Sequence, residues 1–288
     1  MLPKASVAPA AVAQTHLLSI EQVRFRYFAW GSAGPVVVLV HATGFHAYVW
    51  KPIAQGLSHD ARVLALDQRG HGDSAKPESG YAWGAFAGDL HGFLGALQLR
   101  DVLAVGHSAG ATAIALCAAA HPGCIARAVL IDPVLYPRQA GAVPVDNPLA
   151  HRARKRRMVW ESRTSMFHSY RTRPPFNTWR EDVLWAYVEE GTVLRPDGHV
   201  ELKCPGNIEA QIYEMAPHAD ALTVLPQVNI PVLLLRGETS DVFPLAHAEE
   251  VVSRLPNGTL KVIPGTTHFI PMERPEAAER AVREFFDL

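Results

Sequence analysis

Residues 104–112 read Ala-Val-Gly-His-Ser-Ala-Gly-Ala-Thr. An apolar run typical of a buried strand ends near Gly106, and a helix-like run begins at Ala109. Ser108 lies between them, so its backbone must make a sharp turn, which requires small residues two positions before and two positions after it. Gly106 and Gly110 supply both. The stretch therefore predicts a strand, a strained turn with Ser108 at its tip, and a helix.

Short apolar runs on both sides of this stretch predict a buried sheet. They read as strands that are covered on both faces, and the helix-length intervals between them imply crossover connections and parallel pairing. The partly alternating segment Val23–Trp30 predicts a half-exposed strand near a sheet edge. The sequence thus predicts an α/β fold with a mostly parallel central sheet and helices on both faces. The continuous runs are Val36–Val40, Val63–Leu66, Val102–Val105, Ala128–Ile131 and Val232–Leu235.

The interval from Asp132 to Pro231 contains no convincing strand and is longer than a crossover requires. We therefore expect an inserted helical cap over about residues 138–222. Candidate helix N-caps within it are Ser162, Asn177 and Asn207. The interval is rich in aromatic residues. Most of these should pack the insertion onto the main domain, and a few should line a cleft.

Composition excludes several classes of protein. The 288 residues are 48% hydrophobic, and 27 Lys plus Arg against 28 Asp plus Glu give a net charge of -1. Such a balance provides no field for steering polyanions, so we expect a small-molecule substrate and no nucleic-acid partner. The longest strongly apolar run is far shorter than the ~20 residues of a membrane span. Oligomeric state does not follow from these features.

Three cysteines, Cys117, Cys124 and Cys204, show neither the close pairing of a zinc site nor the density of a disulfide framework. We therefore expect reduced thiols in a cytoplasmic protein, with no metal and no organic cofactor. Residues 1–16 contain prolines and a short alanine-rich run, so a flexible tail is expected there rather than a signal peptide.

A serine hydroxyl needs a base to take its proton, an acid to orient that base, and donors for the oxyanion that forms. The segment after the last buried strand places Asp241 in a loop, and a later segment does the same for His268. Both loops should lie at the carboxyl ends of parallel strands, at the same edge of the sheet as Ser108.

From about residue 17 to the C-terminus, the chain resembles the α/β-hydrolase fold family. The order of Ser108, Asp241 and His268 is the order used in that family. Three further segments are similar to its oxyanion loop, its Asp-x-Arg-Gly-His-Gly-x-Ser turn, and its histidine loop with the start of the final helix. They are His41–Phe45, Asp67–Ser74 and Gly265–Glu276.

The resemblance implies a role for each site residue. Ser108 would attack a carbonyl carbon, His268 would take and return the proton, and Asp241 would hold the imidazole. The backbone N–H groups of Thr43 and Ala109 would form the oxyanion hole.

Two positions depart from the family pattern. Ala42 stands where a glycine is usual, although the Thr43 amide stays available. Asp241 lies one residue after the commonest position of the acid, which Ser240 occupies here. Asp132, at the end of another strand, is therefore the alternative orienting acid, because some members of the family use that strand end.

Other polar residues have simpler interpretations. His107 is expected to pack inside the turn, and His41 and His71 are expected to stabilise loops. The basic run at 151–157 is typical of a solvated helix face, with attraction of acidic substrates as an alternative. Cys117 is expected to be a small core residue.

The resulting functional hypothesis is a serine hydrolase that cleaves a small to medium apolar carboxylic ester through an acyl-enzyme. Alternatives on the same fold are a lactonase, a serine-dependent carbon-carbon hydrolase, an amidase and a cofactor-free peroxidase. A hypothesis of another class is a small-molecule receptor with vestigial turnover. The aromatic insertion favours an apolar substrate.

Overall fold

The computed structural model describes residues 12–136 and 147–288. The strands of these residues are β1 (Gln14–Ile20), β2 (Val23–Trp30), β3 (Val36–Val40), β4 (Arg62–Leu66), β5 (Val102–His107), β6 (Ile125–Ile131), β7 (Val159–Trp160), β8 (Thr192–Leu194), β9 (Val200–Leu202), β10 (Val232–Gly237) and β11 (Gly258–Ile263). The α-helices are α1 (Lys51–Leu57), α2 (Trp83–Ala96), α3 (Ala109–Ala120), α4 (Pro148–Arg154), α5 (Arg163–Arg171), α6 (Glu181–Glu190), α7 (Gly206–Met215), α8 (Leu245–Arg254), α9 (Ile270–Glu273) and α10 (Pro275–Phe286). None of the helices described is both long enough and apolar enough to cross a membrane.

Eight of these strands form one sheet in the order β1-β2-β4-β3-β5-β6-β10-β11. The pairs β1-β2 and β2-β4 are antiparallel, and the remaining pairs are parallel. This confirms the predicted α/β fold with a mostly parallel sheet. Strand β2 is more buried than its partial alternation suggested, because its side chains pack into the apolar clusters on both faces of the sheet.

The segment expected to be a flexible tail overlaps the sheet. Strand β1 begins at Gln14, so the last three residues of the predicted tail pair with β2. The alternating exposure of β1 is that of an edge strand. Residues 1–11 lie outside the described residues.

Helices cover both faces of the sheet. Residues of α1 and α10 belong to the apolar cluster on one face, and residues of α2, α3 and α8 belong to the cluster on the other. Strands β3, β4 and β5 contribute side chains to both clusters, which explains why their sequences are continuous apolar runs.

Between β6 and β10 lies the insert, which is described over residues 147–222; residues 138–146 of the predicted cap lie outside the described residues. Helix α5 begins after Ser162, which forms a capping box with Ser165, as the sequence predicted. Helix α6 begins after Arg180 and not at Asn177, because residues 176–178 form a separate 3-10 turn and the Arg180 N–H donates to Met272. Helix α7 begins after Pro205, close to Asn207.

The insert also contains a three-stranded antiparallel sheet in the order β7-β9-β8, which the sequence did not predict. These strands have only two or three residues each. They are too short to produce the apolar runs by which the other strands were recognised.

A buried ion-pair network joins β2, the end of β4 and the loop after β3. The Arg26 Nε lies 2.6 Å from a carboxylate oxygen of Asp67, whose other oxygen accepts the N–H of Ala47 at 2.7 Å. Burial opposes ionisation of Asp67, but Arg26 and these donors keep the pKa of its carboxyl below the usual range. Arg26 also pairs with Asp73 and with Glu190 of the insert.

Replacing Arg26 with Met should lower the free energy of unfolding by about 3 kcal/mol or more, because Asp67 would stay buried without its cation. Urea unfolding at neutral pH measures this difference. Arg24 lies on the same strand but is exposed, so Arg24→Met is the matched control and should change stability by less than about 0.5 kcal/mol. Equal losses in the two variants would contradict the assignment.

Candidate active site

Ser108 lies at the turn between β5 and α3 with φ 53° and ψ -119°, a conformation that is strained for a residue with a side chain. The turn is possible because the residues two positions before and two positions after Ser108 are glycines. A Cβ on Gly106 would lie 2.6 Å from the Ala111 nitrogen, and one on Gly110 would lie 2.4 Å from the Val40 oxygen. The predicted strand, turn and helix are therefore present, with Ser108 at the tip.

His268 forms a hydrogen bond with Asp132. Its Nδ1 lies 2.7 Å from Asp132 Oδ1, and both side chains are buried. Asp241, the acid that the sequence favoured for this position, is exposed and makes no such contact. The expectation for Asp241 is therefore wrong as to geometry, and the alternative acid, Asp132, takes its place.

Ser240, in the loop after β10, supports the carboxylate of Asp132, which follows β6. Its hydroxyl donates to Asp132 Oδ1 at 2.7 Å, and the Gly237 N–H donates to Oδ2 at 3.1 Å. The position at which the family pattern has its acid thus holds a donor that supports the carboxylate of Asp132. The next residue, Asp241, is exposed. The loop turns at Ser240, whose Oγ accepts the N–H of Phe243 at 3.2 Å.

His107 connects the serine turn to the histidine loop. Its Nε2 donates to the backbone oxygen of His268 at 2.9 Å, and the two rings lie 4.8 Å apart. Burial, followed by the neighbouring His268, lowers the pKa of His107 well below its usual value. His107 therefore packs inside the turn as a neutral side chain, as the sequence predicted.

No hydrogen bond joins Ser108 Oγ to His268 among the described residues. In unliganded enzymes this contact is often long and tightens when substrate binds. The backbone segments that carry the two residues are nevertheless linked, since His107 directly precedes Ser108 and bonds the backbone of His268.

The loop after β3 is held by two neutral histidines. His71 Nε2 accepts the N–H of Gly44 at 2.9 Å, while its Nδ1 donates to the Arg69 oxygen at 2.9 Å. His41 makes the equivalent pair of bonds, because its Nδ1 donates to the Ala42 oxygen at 2.7 Å and its Nε2 accepts the N–H of Gln68 at 3.0 Å. This confirms the prediction that both histidines stabilise loops, and it fixes the backbone on either side of Thr43.

Burial lowers the pKa of His41 to about 4 and that of His71 to about 3. His46, in the same loop, has its pKa lowered to about 4, again mainly by burial. Its Nε2 donates to the Tyr187 oxygen of the insert at 3.0 Å. These imidazoles each use one nitrogen as a donor and the other as an acceptor, an arrangement that protonation would break.

A narrow cleft of about 230 Å³ opens where the loop meets α3, and Thr43 and Ala109 both line it. Its remaining walls are largely apolar and include Trp83 and Phe86 of α2 and Ile212 of α7. The Trp83 indole donates to the Ile212 oxygen at 2.9 Å, so the main domain and the insert are joined at this wall. Ala109 is the first residue of α3, whose N-terminal amides favour negative charge.

Most aromatic residues of the insert pack inward, as expected. Trp179 and Tyr187 are buried and contact Phe45 of the β3 loop, with ring centroids 5.2 and 5.6 Å away. Trp179 also contacts Phe269, the residue after His268, at 5.7 Å. The insert is therefore packed directly against both loops of the candidate site.

The basic run at 151–157 is only partly a solvated face. Arg156 is mostly buried, and its guanidinium pairs with Glu209 at 2.6 Å and with the hydroxyl of Tyr187. Together with Lys203, which pairs with Asp73 at 2.7 Å, Arg156 lines a second cleft of about 230 Å³ that also includes Gly44. This burial could not be predicted, because nothing in a run of basic residues marks the one that turns inward.

A serine at such a turn, in a sheet of this strand order, is the architecture of alpha/beta hydrolases. A model described as "Alpha/beta hydrolase family" matches residues 37–281. The chain belongs to this family. Its family membership identifies it as a hydrolase without specifying the bond that it cleaves.

Two curated relatives and one solved structure illustrate the range of activities named among similar proteins. The 2-(acetamidomethylene)succinate hydrolase of Mesorhizobium japonicum is 27% identical, with 96% of this chain and 98% of that protein covered. A crystal structure of E-2-(acetamidomethylene)succinate hydrolase matches with a TM-score of 0.86 and 26% identity, covering 96% of this chain and all of the other. A non-heme chloroperoxidase of Streptomyces lividans is 30% identical over 87% of this chain and 91% of its own length.

The lowered pKa values of His41, His46 and His71 predict a loss of stability in mild acid. Each imidazole stays neutral when folded but takes up a proton when unfolded, below a pKa of about 6.5. Their contribution is therefore complete above about pH 6.5 and declines as the pH falls toward 4 or 3, by up to about 1.4 kcal/mol per pH unit for each histidine.

Glutamine can reproduce both hydrogen bonds of His71 without titrating. The His71→Gln variant should therefore reduce the slope of unfolding free energy against pH, between about pH 6 and 4.5, by about 1.4 kcal/mol per pH unit. Urea unfolding over a pH series measures this slope. The exposed His59 provides the control variant His59→Gln, which should keep the parent slope. An unchanged slope in His71→Gln would show that His71 is not the titrating group.

Proposed function

We propose that the chain cleaves carboxylic esters by way of an acyl-enzyme, with Ser108 as nucleophile, His268 as base and Asp132 as orienting acid. The observation that carries this proposal is the 2.7 Å hydrogen bond between His268 Nδ1 and Asp132. It leaves Nε2 of the imidazole as the nitrogen that can accept the serine proton.

In the proposed reaction, Ser108 Oγ attacks the ester carbonyl carbon while its proton passes to His268 Nε2. Collapse of the tetrahedral intermediate breaks the bond to the alcohol oxygen, which receives that proton. Water then attacks the acyl-enzyme with His268 again as base, and Ser108 leaves with the proton. Asp132 stabilises the imidazolium that forms in both steps.

The oxyanion would be stabilised by the N–H groups of Thr43 and Ala109. Both residues line the same cleft, and Ala109 is at the N-terminus of α3. Loss of one donor of this kind costs about 3 kcal/mol of transition-state stabilisation in comparable enzymes. His71 would act on the hole indirectly, since it holds the amide of Gly44, the residue after Thr43.

The lining of the cleft favours an apolar acyl group. Trp83, Phe86 and Ile212 offer the acyl chain an apolar wall.

The assignment of the triad is tested with p-nitrophenyl esters of increasing acyl length. The parent should hydrolyse the short esters, and Ser108→Ala and His268→Ala should fall to background. Asp132→Asn should lower kcat by about 10⁴-fold, because the amide would favour the wrong imidazole tautomer.

Asp241→Asn is the matched control for Asp132→Asn, since it removes the same charge from the exposed neighbour of Ser240. It should keep kcat within about twofold of the parent, as is expected of a surface substitution. A large loss in Asp241→Asn with little change in Asp132→Asn would reverse the assignment. A parent no faster than Ser108→Ala on every ester would refute ester hydrolysis.

A second candidate is hydrolysis of an acyl substrate that carries carboxylates. The relative named 2-(acetamidomethylene)succinate hydrolase covers nearly the whole chain, and its named substrate is an acetamido compound of succinate. The second cleft, which Gly44 also lines, presents Arg156 and Lys203. Both cations are paired with carboxylates, so a substrate carboxylate would have to compete with Asp73 for Lys203 and with Glu209 for Arg156.

This candidate is tested by comparing p-nitrophenyl acetate with mono-p-nitrophenyl succinate and by assaying 2-(acetamidomethylene)succinate directly. If Lys203 binds a substrate carboxylate, Lys203→Met should lower kcat/KM for the succinate ester about 10-fold or more and leave the acetate ester unchanged. Lys155 lies exposed in the insert, and Lys155→Met is the control. Equal effects of Lys203→Met on the two esters would remove support for a carboxylate subsite.

A further inference from the structure

Cys117, Cys124 and His91 come together at the edge of the sheet opposite to Ser108. Cys117 lies in the last turn of α3, Cys124 directly precedes β6, and His91 lies on α2. One ligand atom from each residue lies within 4.8 Å of the other two. The sequence did not predict a metal site, because His91 is far from the cysteines along the chain and a spacing of seven residues between cysteines is not typical of one.

The separation of the two sulfur atoms fits a shared metal ion. Cys117 Sγ and Cys124 Sγ are 3.7 Å apart, and both thiols are free. Two thiolates bound tetrahedrally to Zn²⁺ at about 2.3 Å would be about 3.8 Å apart. A disulfide would require about 2.05 Å.

The imidazole is placed to complete the set. In a tetrahedral zinc site, a histidine nitrogen lies about 3.6 Å from each sulfur. His91 therefore has to approach by about 1.2 Å at most, and its exposed side chain can do so by rotation. His121 stacks on the His91 ring with centroids 3.7 Å apart.

We propose that Cys117, Cys124 and His91 bind a borderline-soft divalent cation, Zn²⁺, with solvent at the fourth position on the exposed side of His91. Two thiolates and a neutral imidazole are the donors that this ion prefers. Binding would release the two thiol protons to solvent, and the two thiolates would balance the charge of the ion. A neutral assembly of this kind can lie against the apolar surroundings of Cys117 and Cys124.

The position of the site indicates a structural role. The ion would connect α2, the last turn of α3 and the start of β6, and Cys117 is about 12 Å along α3 from Ala109. It is thus too far from Ser108 to take part in its chemistry. It would hold the end of α3 opposite to the active site.

Titration of the reduced, chelator-treated full-length protein with Co²⁺ and then Zn²⁺ tests the proposal without an activity assay. The parent should bind one Co²⁺ per chain, with the intense absorption of thiolate-to-cobalt charge transfer, and Zn²⁺ should displace it. His91→Ala removes an exposed side chain, so it should fold normally and bind about 100-fold or more weakly. Cys124→Ser should lose the charge-transfer band.

Cys204→Ser and His59→Ala are the matched controls, since they remove a buried cysteine and an exposed histidine elsewhere in the chain. Both should bind Co²⁺ like the parent. The proposal fails if the parent shows no charge-transfer band, or if His91→Ala and Cys124→Ser bind as tightly as the controls. The free thiols of protein purified without reductant are counted after it is unfolded. One free thiol per chain instead of three, in a protein whose folded form binds no metal, would also overturn the proposal.

Discussion

The close approach of helix α3 to the sheet is the constraint on which the rest of the site depends. The helix begins so near to β3 that a side chain on Gly110 would collide with the β3 backbone. A side chain on Gly106, at the end of β5, would collide with the first turn of the helix. Because of this contact, the Ala109 amide and the loop after β3 share one cleft, and Ser108 is forced into its positive-φ turn. A side chain at either glycine would displace Ser108 relative to the amides of Thr43 and Ala109, the proposed oxyanion donors.

The sequence predicted the parts of the fold that rest on local pattern. Continuous apolar runs located the buried strands because burial on both faces removes polar residues from them. The edge strand β1 and the two- and three-residue strands of the insert left no such pattern. Asn177 was a reasonable N-cap by residue type, but it lies in a separate 3-10 turn, and the backbone is extended at Arg180, whose N–H donates to the distant Met272.

Spacing along the chain was enough to select Ser108 and His268 as candidates, and their catalytic roles stay a prediction. The acid could not be selected in this way, because the choice between Asp132 and Asp241 depends on how the loop after β10 turns. Ser240 turns that loop and donates to Asp132, so a hydroxyl in one loop determines which carboxylate reaches the imidazole. The grouping of His91 with Cys117 and Cys124 could not be predicted from the sequence either, since it depends on how α2 packs against α3.

The bond between Ser240 and Asp132 has a consequence for comparing members of this family. Asp132 lies at the end of β6 and Ser240 lies just beyond β10, and these are neighbouring strands. A carboxylate at either strand end can therefore occupy the same small volume beside the imidazole. Members of the family would then share the location of the carboxylate beside the imidazole, although the acidic residue itself can come from either of two sequence positions. A search that requires an acidic residue in one alignment column would overlook an intact site of this type.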